Sequence, residues 1–427
     1  MRDEPADRQP GGGPVSGTPP AAGIERHRLP DHAYPGLDTL RAFGALAVIV
    51  THVAFSTGHY QTEYVGGLLA RLDVGVAIFF VLSGFLLGRP FLRAMRDRGR
   101  RPATGRYLWR RFLRIWPTFA LAVVAAMLLL PDQDLSPAGW LRSLTLTRLV
   151  TVGYDFPHGL TQMWSLEVEV AFYLLLPVLA WVVAHTVTRK RWRPLAVAVV
   201  LVALGAVSVV WTGGAAQVVA PHAVSAATWL PSYLAWFAAG MLLALVDLQP
   251  RSTWAARARG AAASPGALWV TVLGLMLVAS TPAAGALELI PETNGQRMMR
   301  VVLFTAISTL IVLPAIFARS DSPYARFLAW KPLRYLGVIS YASFCFHLIV
   351  LELAFRWLDI PQFTGSFAVI LLATLVGTLV VSVAVYELVE RPLERARNLS
   401  LRRRTGRSRK PPTEVAATTP SDASANH

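Results

Sequence analysis

Long apolar runs recur along the chain, each close to the length that a helix needs to cross a membrane. Ten of them lie near 38–56, 74–92, 112–130, 164–184, 195–212, 227–247, 267–280, 300–318, 334–353 and 366–386. A spanning helix takes about 20 predominantly apolar residues, and the run at 267–280 is the shortest. The pattern predicts an all-α, polytopic membrane protein with about ten transmembrane helices within residues 37–392.

The two ends of the chain lack such runs. Residues 1–36 are rich in Pro, Gly and charge, and residues 393–427 are polar and basic. Segments of this composition bury too little apolar surface to fold. The sequence therefore predicts a disordered tail at each end and no signal peptide at the N-terminus.

Composition supports a membrane protein, and only the charge needs a further explanation. Hydrophobic residues make up 54% of the 427 and charged residues 15%, against about 45–50% and 25% in soluble proteins. The net charge of +16 would suggest a nucleic-acid partner in a soluble chain. The single cysteine, Cys345, excludes disulfides within the chain and multi-cysteine metal motifs.

The distribution of Lys and Arg explains the charge and predicts an orientation. With a cytoplasmic N-terminus, the inward segments hold 32 of the 41 Lys and Arg residues and the outward loops hold five. Because positive charge accumulates in cytoplasmic loops, both termini are predicted to be cytoplasmic, in the cytoplasmic (inner) membrane. The basic runs 93–111 and 402–410 are then topology determinants that contact membrane lipids, and no nucleic acid is expected.

Ionisable residues inside spanning segments are costly and indicate function. Arg41 and His52 are 11 residues apart, on one face of the first segment and about 16 Å apart along it. Glu167 and Glu169 lie on nearly opposite sides of the fourth segment; Glu169 is deeper and is the candidate, while Glu167 stays open as an interfacial charge. His347 is expected at the depth of His52 and Glu169. A histidine and a carboxylate at one depth are the parts of a general base and its orienting group.

Two further groups of polar residues have two interpretations each. Arg110, Arg111 and Arg114 begin the third segment, where a helix N-terminus attracts anions, so they form a phosphate clamp or simply add positive-inside charge. Arg110 and Arg114 share a helix face. Ser83 lies near mid-depth of the second segment and either lines a substrate path or belongs to a packing surface of small residues that includes Gly84.

Six short motifs follow one another in a fixed order along the chain. They are Gly-Leu-Asp38-x-Leu-Arg41 with Arg-x10-His52, Phe-Phe-x-x-Ser83-Gly84-Phe, Arg111-x-x-Arg114-Ile-x-Pro, Trp164-Ser-Leu-x-x-Glu169-x-x-Phe172-Tyr173, Ser340-Tyr341 followed by His347, and Glu390-Arg391-Pro392. In these motifs the chain resembles the acyltransferase-3 family of integral membrane acyltransferases over about residues 36–392. It departs from the family at Ala77, where an acidic residue is usual, and at Val170-Ala171, where Glu-Gln is usual.

The resemblance implies an enzyme, a membrane O-acyltransferase that transfers groups other than aminoacyl groups. It would move an acyl group, expected to be acetyl, from cytoplasmic acyl-CoA to a hydroxyl of a carbohydrate, a cell-envelope glycan, a lipid or a natural product. Acyl-CoA is a co-substrate, and no metal or other cofactor is implied. No esterase-like domain follows the last helix, so the stand-alone form is expected.

The same likeness distributes roles among the candidate residues. His52 and Glu169 would be the catalytic acid/base residues, and Arg41, Arg111 and Arg114 would bind acyl-CoA. The remaining candidates for substrate binding are Arg110, Ser83, Trp164, Tyr173 and His347. For Trp164 the alternative is a place in the aromatic belt at the membrane interface, and for His347 it is a structural hydrogen bond.

These roles combine into one hypothesis with two rivals. His52, oriented by Glu169, would deprotonate the acceptor hydroxyl, which attacks the thioester; a covalent acyl-histidine is a variant. The outward loop 131–163 is where an acceptor glycan could dock. The first rival is a proton-coupled secondary transporter that uses His52, Glu169 and His347 as a relay. The second is a flippase or scaffold for envelope polymers, without turnover.

Overall fold

The computed structural model describes residues 34–62, 65–131, 133, 136–223, 225–285 and 292–395. Within these residues all regular structure is helical and no strand occurs. The predicted tails lie outside the described part of the chain, apart from residues 34–36 and 393–395. The basic run 402–410 lies outside it as well.

Ten apolar helices make up the described part of the molecule, one for each apolar run. They are α1 (Gly36–Ser56), α2 (Val74–Arg96), α3 (Thr104–Leu129), α4 (Met163–Thr186), α5 (Pro194–Val210), α6 (Leu234–Asp247), α7 (Pro265–Ala279), α8 (Asn294–Phe317), α9 (Ser340–Trp357) and α10 (Phe367–Val385). By length and composition the described chain has eight helices that can cross a membrane, or up to ten if each of two bent pairs is one span. The predicted all-α, multi-pass membrane fold is confirmed.

Short helices occupy the connections between these spans. They are His59–Gln61, Gly66–Ala70, Arg71–Asp73, Pro137–Thr145, Arg148–Thr151, Trp211–Ala215, Ala216–Val219, Ala226–Thr228, Leu230–Tyr233, Thr253–Ala262, Pro282–Ala284, Pro323–Leu328 and Lys331–Val338. Two of them form the bent pairs: Thr253–Ala262 meets α7 at 85°, and Lys331–Val338 meets α9 at 64°.

The ninth apolar run, 334–353, predicts one helix, whereas the structure breaks it at Ile339. Gly337 packs so closely on the backbone of Asp38 in α1 that a side chain there would collide with it. The hydroxyl of Ser340 donates to the Gly337 carbonyl at 2.8 Å, which satisfies a carbonyl group left free by the break. The bend therefore follows from the close approach of this helix to α1.

The last helix extends farther than the sequence predicts. α10 continues through a π-helical turn, Tyr386–Glu390, and then as α-helix past the predicted boundary at Pro392 to Arg395, where the described residues end. A proline ring collides with the carbonyl group four residues before it in a regular helix. The irregular turn directly before Pro392 is the kind of insertion that relieves such a conflict.

Glycines hold the centre of the bundle together. Gly84 in α2 lies against the backbone of Phe237 in α6, and Gly240 in α6 lies against the backbone of Val81 in α2. Neither position has room for a side chain, so the two helices touch along their backbones. The ring of Phe237 stacks on that of Phe80, with 4.5 Å between centroids. The packing interpretation of Gly84 is thus the one that the structure supports.

The segment before α4 folds into the bundle instead of remaining at its surface. Gln162 donates from Nε2 to the backbone carbonyls of Phe344 and Cys345, at 3.4 and 3.2 Å, near the start of α9. The carboxylate of Glu167 accepts from the backbone N–H groups of Arg148 and Leu149, at 3.1 and 2.9 Å. Glu167 therefore anchors this segment, and α4 begins well inside the bundle.

Candidate active site

A cavity of about 940 Å³ runs along α2 from the arginine-rich end of the bundle. We call that end the inner end, after the predicted orientation. The cavity's lining on α2 includes Val76 and Arg93, which are about 26 Å apart along a helix, most of the thickness of a membrane core of about 30 Å. Its volume lies within the range of roughly 300–1,000 Å³ that is usual for ligand sites.

The cavity unites six of the ten predicted site residues. They are Arg41, Ser83, Arg111, Arg114, Glu169 and Tyr173. These residues come from α1, α2, α3 and α4, so the motifs that are far apart in sequence do meet in space. Four predicted residues are not in the lining: His52, His347, Arg110 and Trp164.

Arginines dominate the polar lining. They are Arg41, Arg89, Arg93, Arg100, Arg111 and Arg114. Arg41 is 3.4 Å from a carboxylate oxygen of Asp38, and Arg89 donates to Asp247 at 2.7 Å. The other four form no ion pair with any described residue. In addition, the Nε of Arg111 is buried without a hydrogen-bond partner there, and a buried donor left unpaired is costly. This wall is suited to an anionic ligand.

Arg110 is absent from the lining, although positions 110 and 114 are only about 40° apart around α3. Its place in a phosphate clamp stays a prediction. Three lining arginines are not among the predicted site residues: Arg93 and Arg100 belong to the basic run 93–111, a predicted topology determinant, and Arg89 lies in the second apolar run. The spacing of Arg89 and Arg93, one helical turn apart on α2, is the signal that could have placed them on one face.

The lining also contains five carboxylates and several tyrosines; the carboxylates are Asp38, Asp97, Glu169, Glu390 and Glu394. Tyr34 lines the cavity and donates to Asp247 at 2.9 Å. Burial, together with that carboxylate, raises the pKa of Tyr34 to about 12. Tyr341 donates to the carbonyl of Ile115 at 2.9 Å. Glu390 accepts from Thr118 at 3.0 Å, so the last of the six motifs also reaches the cavity.

Glu169 belongs to the cavity and not to the histidines. Its carboxylate accepts a hydrogen bond from Ser83, which joins α4 to α2. It also interacts electrostatically with Arg41 and Arg111. Ser83 also lines the cavity, and Glu169 balances the positive charge around it.

His52 and His347 form a hydrogen-bonded pair beyond the outer end of the cavity. Nε2 of His347 is 3.0 Å from Nδ1 of His52, and the ring centroids are 5.1 Å apart. His347 is fully buried, whereas His52 is half-buried. The most exposed residue of α1, Leu46, is turned by about 120° from His52 around the helix. The pair therefore lies between the helices, away from the lipid-facing side of α1.

The predicted pairing of His52 with Glu169 is not formed. Glu169 is close to Arg41, which precedes His52 by 11 residues, or about 16 Å of helix rise. The prediction of a common depth assumed that α4 starts at the outer surface of the membrane. Because α4 starts inside the bundle, Glu169 lies deeper toward the inner end, and the partner of His52 is His347.

Two aromatic side chains stand between the cavity and the histidine pair. Phe79 and Phe344 line the cavity, with ring centroids 6.3 Å apart. The ring of Phe344 is 6.0 Å from that of His347, which follows one turn later on α9. The cavity thus ends at aromatic rings directly below the histidines.

Trp164 has a packing role in this structure. Its ring lies 5.2 Å from that of Tyr233, and it contributes nothing to the cavity lining. Tyr173, from the same motif, is buried and lines the cavity. The motif therefore supplies one packing residue, Trp164, and four residues of the cavity lining, Ser165, Leu166, Glu169 and Tyr173.

The site can now be compared with known proteins. The family model for the acyltransferase domain, Acyl_transf_3, matches residues 34–387. The chain belongs to the acyltransferase-3 family. This confirms the resemblance seen in the six motifs, and the matched range includes all ten predicted site residues.

Two relatives of the acyltransferase-3 family match over most of the chain. YrhL of Bacillus subtilis (strain 168), a candidate peptidoglycan O-acetyltransferase, is 27% identical over 394 residues, which cover 86% of this chain and 56% of YrhL. The peptidoglycan O-acetyltransferase OatA of Listeria monocytogenes is 23% identical over 379 residues, covering 84% and 56%. The chain therefore spans a little over half the length of these two relatives.

A third relative matches a smaller part. The acyltransferase MdmB of Streptomyces mycarofaciens is 30% identical over 172 residues, which cover 37% of this chain and 42% of MdmB. No solved structure matches the chain.

Proposed function

We propose that this protein is a membrane O-acyltransferase that transfers an acyl group, acetyl in the first instance, from acyl-CoA to a hydroxyl of a cell-envelope carbohydrate. The observation that carries the proposal is the arginine-lined cavity, which leads from the inner end of the bundle toward the histidine pair without reaching it. The names of YrhL and OatA support a peptidoglycan-like acceptor.

The donor site is the inner part of the cavity. Acyl-CoA carries a diphosphate and a ribose phosphate, and guanidinium groups bind phosphate through paired, charge-assisted hydrogen bonds. Arg93, Arg100, Arg111 and Arg114 have no ion pair among the described residues and are free for this role. The pantetheine arm then extends along α2 past Arg41 and Ser83, and the thioester reaches the aromatic end of the cavity.

The acyl transfer takes place at His52. Its imidazole takes the proton of the acceptor hydroxyl as the oxygen attacks the thioester carbonyl. The C–S bond then breaks, and the imidazolium returns the proton to the departing CoA thiolate. This step requires Phe79 and Phe344 to move apart, because their rings close the cavity below the histidine. Glu169 acts on the donor side, where it holds the wall of the cavity through Ser83.

The test uses purified protein, radiolabelled acetyl-CoA and a panel of envelope glycans. Wild type is expected to release CoA only when an acceptor is present, and His52→Ala to lose at least about a hundredfold in rate, the usual contribution of general acid–base catalysis. His59→Ala is the matched control, because His59 bonds only within its own loop, to Thr57. Full transfer by His52→Ala would overturn the proposal. Solute flux in proteoliposomes without CoA release would favour the transporter.

The same proposal includes the orientation. If the donor is cytoplasmic acyl-CoA, the inner end of the cavity faces the cytoplasm, and the membrane is the cytoplasmic (inner) membrane. The arginine count supports that orientation, because positive charge accumulates on the cytoplasmic side. A reporter fused after Arg395 is expected to be cytoplasmic, and a reporter exported from the cell would reverse the assignment.

A further inference from the structure

We propose that His347 is a positioning residue that fixes the tautomer of His52, so that His52 offers an unprotonated Nε2 to the acceptor. The inference rests on the proposed function for its consequence in catalysis. Its structural part, the location of the protons on the two rings, follows from the hydrogen bonds alone and can be tested without activity.

The first step concerns the proton on His347. Its Nδ1 lies 2.8 Å from the carbonyl oxygen of Phe344 and 3.2 Å from that of Ser343. A carbonyl oxygen accepts hydrogen bonds and never donates them. The Nδ1 of His347 must therefore carry a hydrogen.

The second step concerns the charge on His347. The side chain is 0% exposed, and its hydrogen-bond partners are two carbonyl oxygens and another imidazole. A buried charge without a bonded counter-charge is strongly unfavourable. His347 is therefore neutral, with its one hydrogen on Nδ1 and a lone pair on Nε2.

The third step passes this constraint to His52. Because Nε2 of His347 is an acceptor, the atom 3.0 Å away, Nδ1 of His52, must be the donor. The remaining ring nitrogen of neutral His52, Nε2, then holds the lone pair that a general base needs. In water the opposite tautomer of histidine, with the hydrogen on Nε2, is the more populated one, so the contact with His347 reverses the intrinsic preference.

The fourth step concerns the stabilisation of His52 when it becomes protonated during the reaction. When Nε2 of His52 takes the proton of the acceptor hydroxyl, the ring becomes a cation and its Nδ1–H becomes a stronger donor. A hydrogen bond with one charged partner is roughly twice as strong as a neutral one. His347 thus stabilises the imidazolium in the role that a carboxylate has in a catalytic triad, without placing a second charge in the membrane.

The backbone keeps His347 in this orientation. Its two carbonyl partners belong to the preceding turn of α9, and the Phe344 carbonyl also accepts from Gln162 at 3.4 Å. The ring is therefore held by its own helix, and α9 is held to the segment before α4. His347 does not line the cavity and so has no contact with the donor in this arrangement.

The mutational test replaces His347 by three residues of different geometry. In Gln, the terminal amide reaches the place of Nε2 and its oxygen can accept from His52. Phe fills the ring volume without an acceptor, and Asn reaches only the place of Nδ1. We expect His347→Gln to keep kcat within about tenfold of wild type, and His347→Phe and His347→Asn to lose about a hundredfold or more. KM for acetyl-CoA should stay unchanged in all three.

The second measurement is the ¹⁵N NMR spectrum of histidine-labelled protein, with the signals of His52 identified by their loss in His52→Ala. Wild type and His347→Gln should show His52 protonated on Nδ1, and His347→Phe should show a shift toward protonation on Nε2. Binding of CoA to the inner cavity reports that each variant is folded.

The outcomes separate this inference from the proposed function. Protonation of His52 on Nε2 in wild type, or equal kcat in His347→Phe and His347→Gln, would overturn the positioning role. If the spectra are as expected but His52→Ala retains full acyl transfer, the tautomer assignment stands and the proposed function fails.

Discussion

Four arginines in the inner half of this helix bundle and two in its outer half have opposite environments. At the inner end, four arginines face an open cavity and have no ion pair with the described residues. In the outer half, Arg71 is buried and donates to the carbonyls of Ala279 and Gly285, at 2.8 and 2.6 Å. Arg300 binds both carboxylate oxygens of Glu292, at 2.5 and 2.7 Å. Arginines with protein partners fasten loops, and arginines without them are available for a ligand.

The comparison also explains how the two halves divide the reaction. The inner half has space and charge, as an anionic donor requires. The outer half has a closed, neutral pair of histidines, whose protons are fixed by hydrogen bonds. Under the proposed function, donor binding and proton transfer therefore belong to different layers of one bundle, with the rings of Phe79 and Phe344 between them.

The largest expected effect is on donor binding in the inner half. Replacing Arg111 and Arg114 together by Ala should weaken the binding of CoA by about a hundredfold or more, because each charge-assisted hydrogen bond contributes about 1.5–3 kcal/mol. Isothermal titration calorimetry with CoA measures it. Arg110→Ala is the matched control and should bind CoA as wild type does. An equal loss in Arg110→Ala would remove the distinction between arginines inside and outside the cavity.

The next effect is on stability in the outer half. Arg71→Ala leaves two carbonyl groups without their donor and should lower the free energy of unfolding by about 2–3 kcal/mol, with CoA affinity unchanged. Thermal unfolding in detergent measures it. Arg142, whose side chain has no recorded partner in the described chain, is the control, and Arg142→Ala should stay within about 0.5 kcal/mol. A loss of CoA affinity in Arg71→Ala would contradict the division between the halves.

A smaller effect is expected at Glu169. Glu169→Gln keeps an acceptor for Ser83 and removes one negative charge, so kcat should fall by no more than about tenfold, well below the loss in His52→Ala. Steady-state transfer assays compare the two variants. A loss as large as that of His52→Ala would mean that the Glu169 carboxylate takes part in acid–base catalysis and that the reaction takes place in the inner half.

The smallest effect tests the boundary between the halves. Phe344→Leu shortens the end wall of the cavity and should raise the kcat/KM of butyryl-CoA relative to acetyl-CoA by about three- to tenfold, since a methylene in an apolar pocket is worth roughly 1–3 kcal/mol. Phe91→Leu, a buried phenylalanine of α2 outside the lining, should leave the ratio unchanged. An unchanged ratio in Phe344→Leu would mean that the acyl group does not reach this wall.

The sequence predicts the spans well because their signal is local. Every apolar run is helical, although the ninth is broken at Ile339, and the run at 267–280, the weakest of the ten, is α7 with 15 residues. The segment before α4 was placed wrongly for the opposite reason. Its polar composition is typical of a surface loop. Only the hydrogen-bond partners of Gln162 and Glu167, which are distant in sequence, bring it into the bundle.

The site was predictable in part. Six of the ten candidate residues line the cavity, whereas Arg89, Arg93 and Arg100 lie outside the six motifs and had no predicted role there. The spacing along one helix also placed Arg41 and His52 on one face. It could not show which helix stands opposite each residue, so it paired His52 with Glu169 instead of His347. Depth estimates depend on where a helix begins, and a helix that begins inside the bundle shifts every residue on it.

The glycine contact between α2 and α6 has a consequence for how this enzyme can evolve. Gly84 and Gly240 meet the opposite backbone directly, and Ser83, the neighbour of Gly84, carries the hydrogen bond to Glu169. A methyl group added at either glycine would push the two helices apart and displace the hydrogen bond between Ser83 and Glu169, although the methyl group itself would touch no substrate. Changes in acceptor or acyl preference are therefore expected in the walls formed by α1, α3 and α9, and not in the contact between α2 and α6.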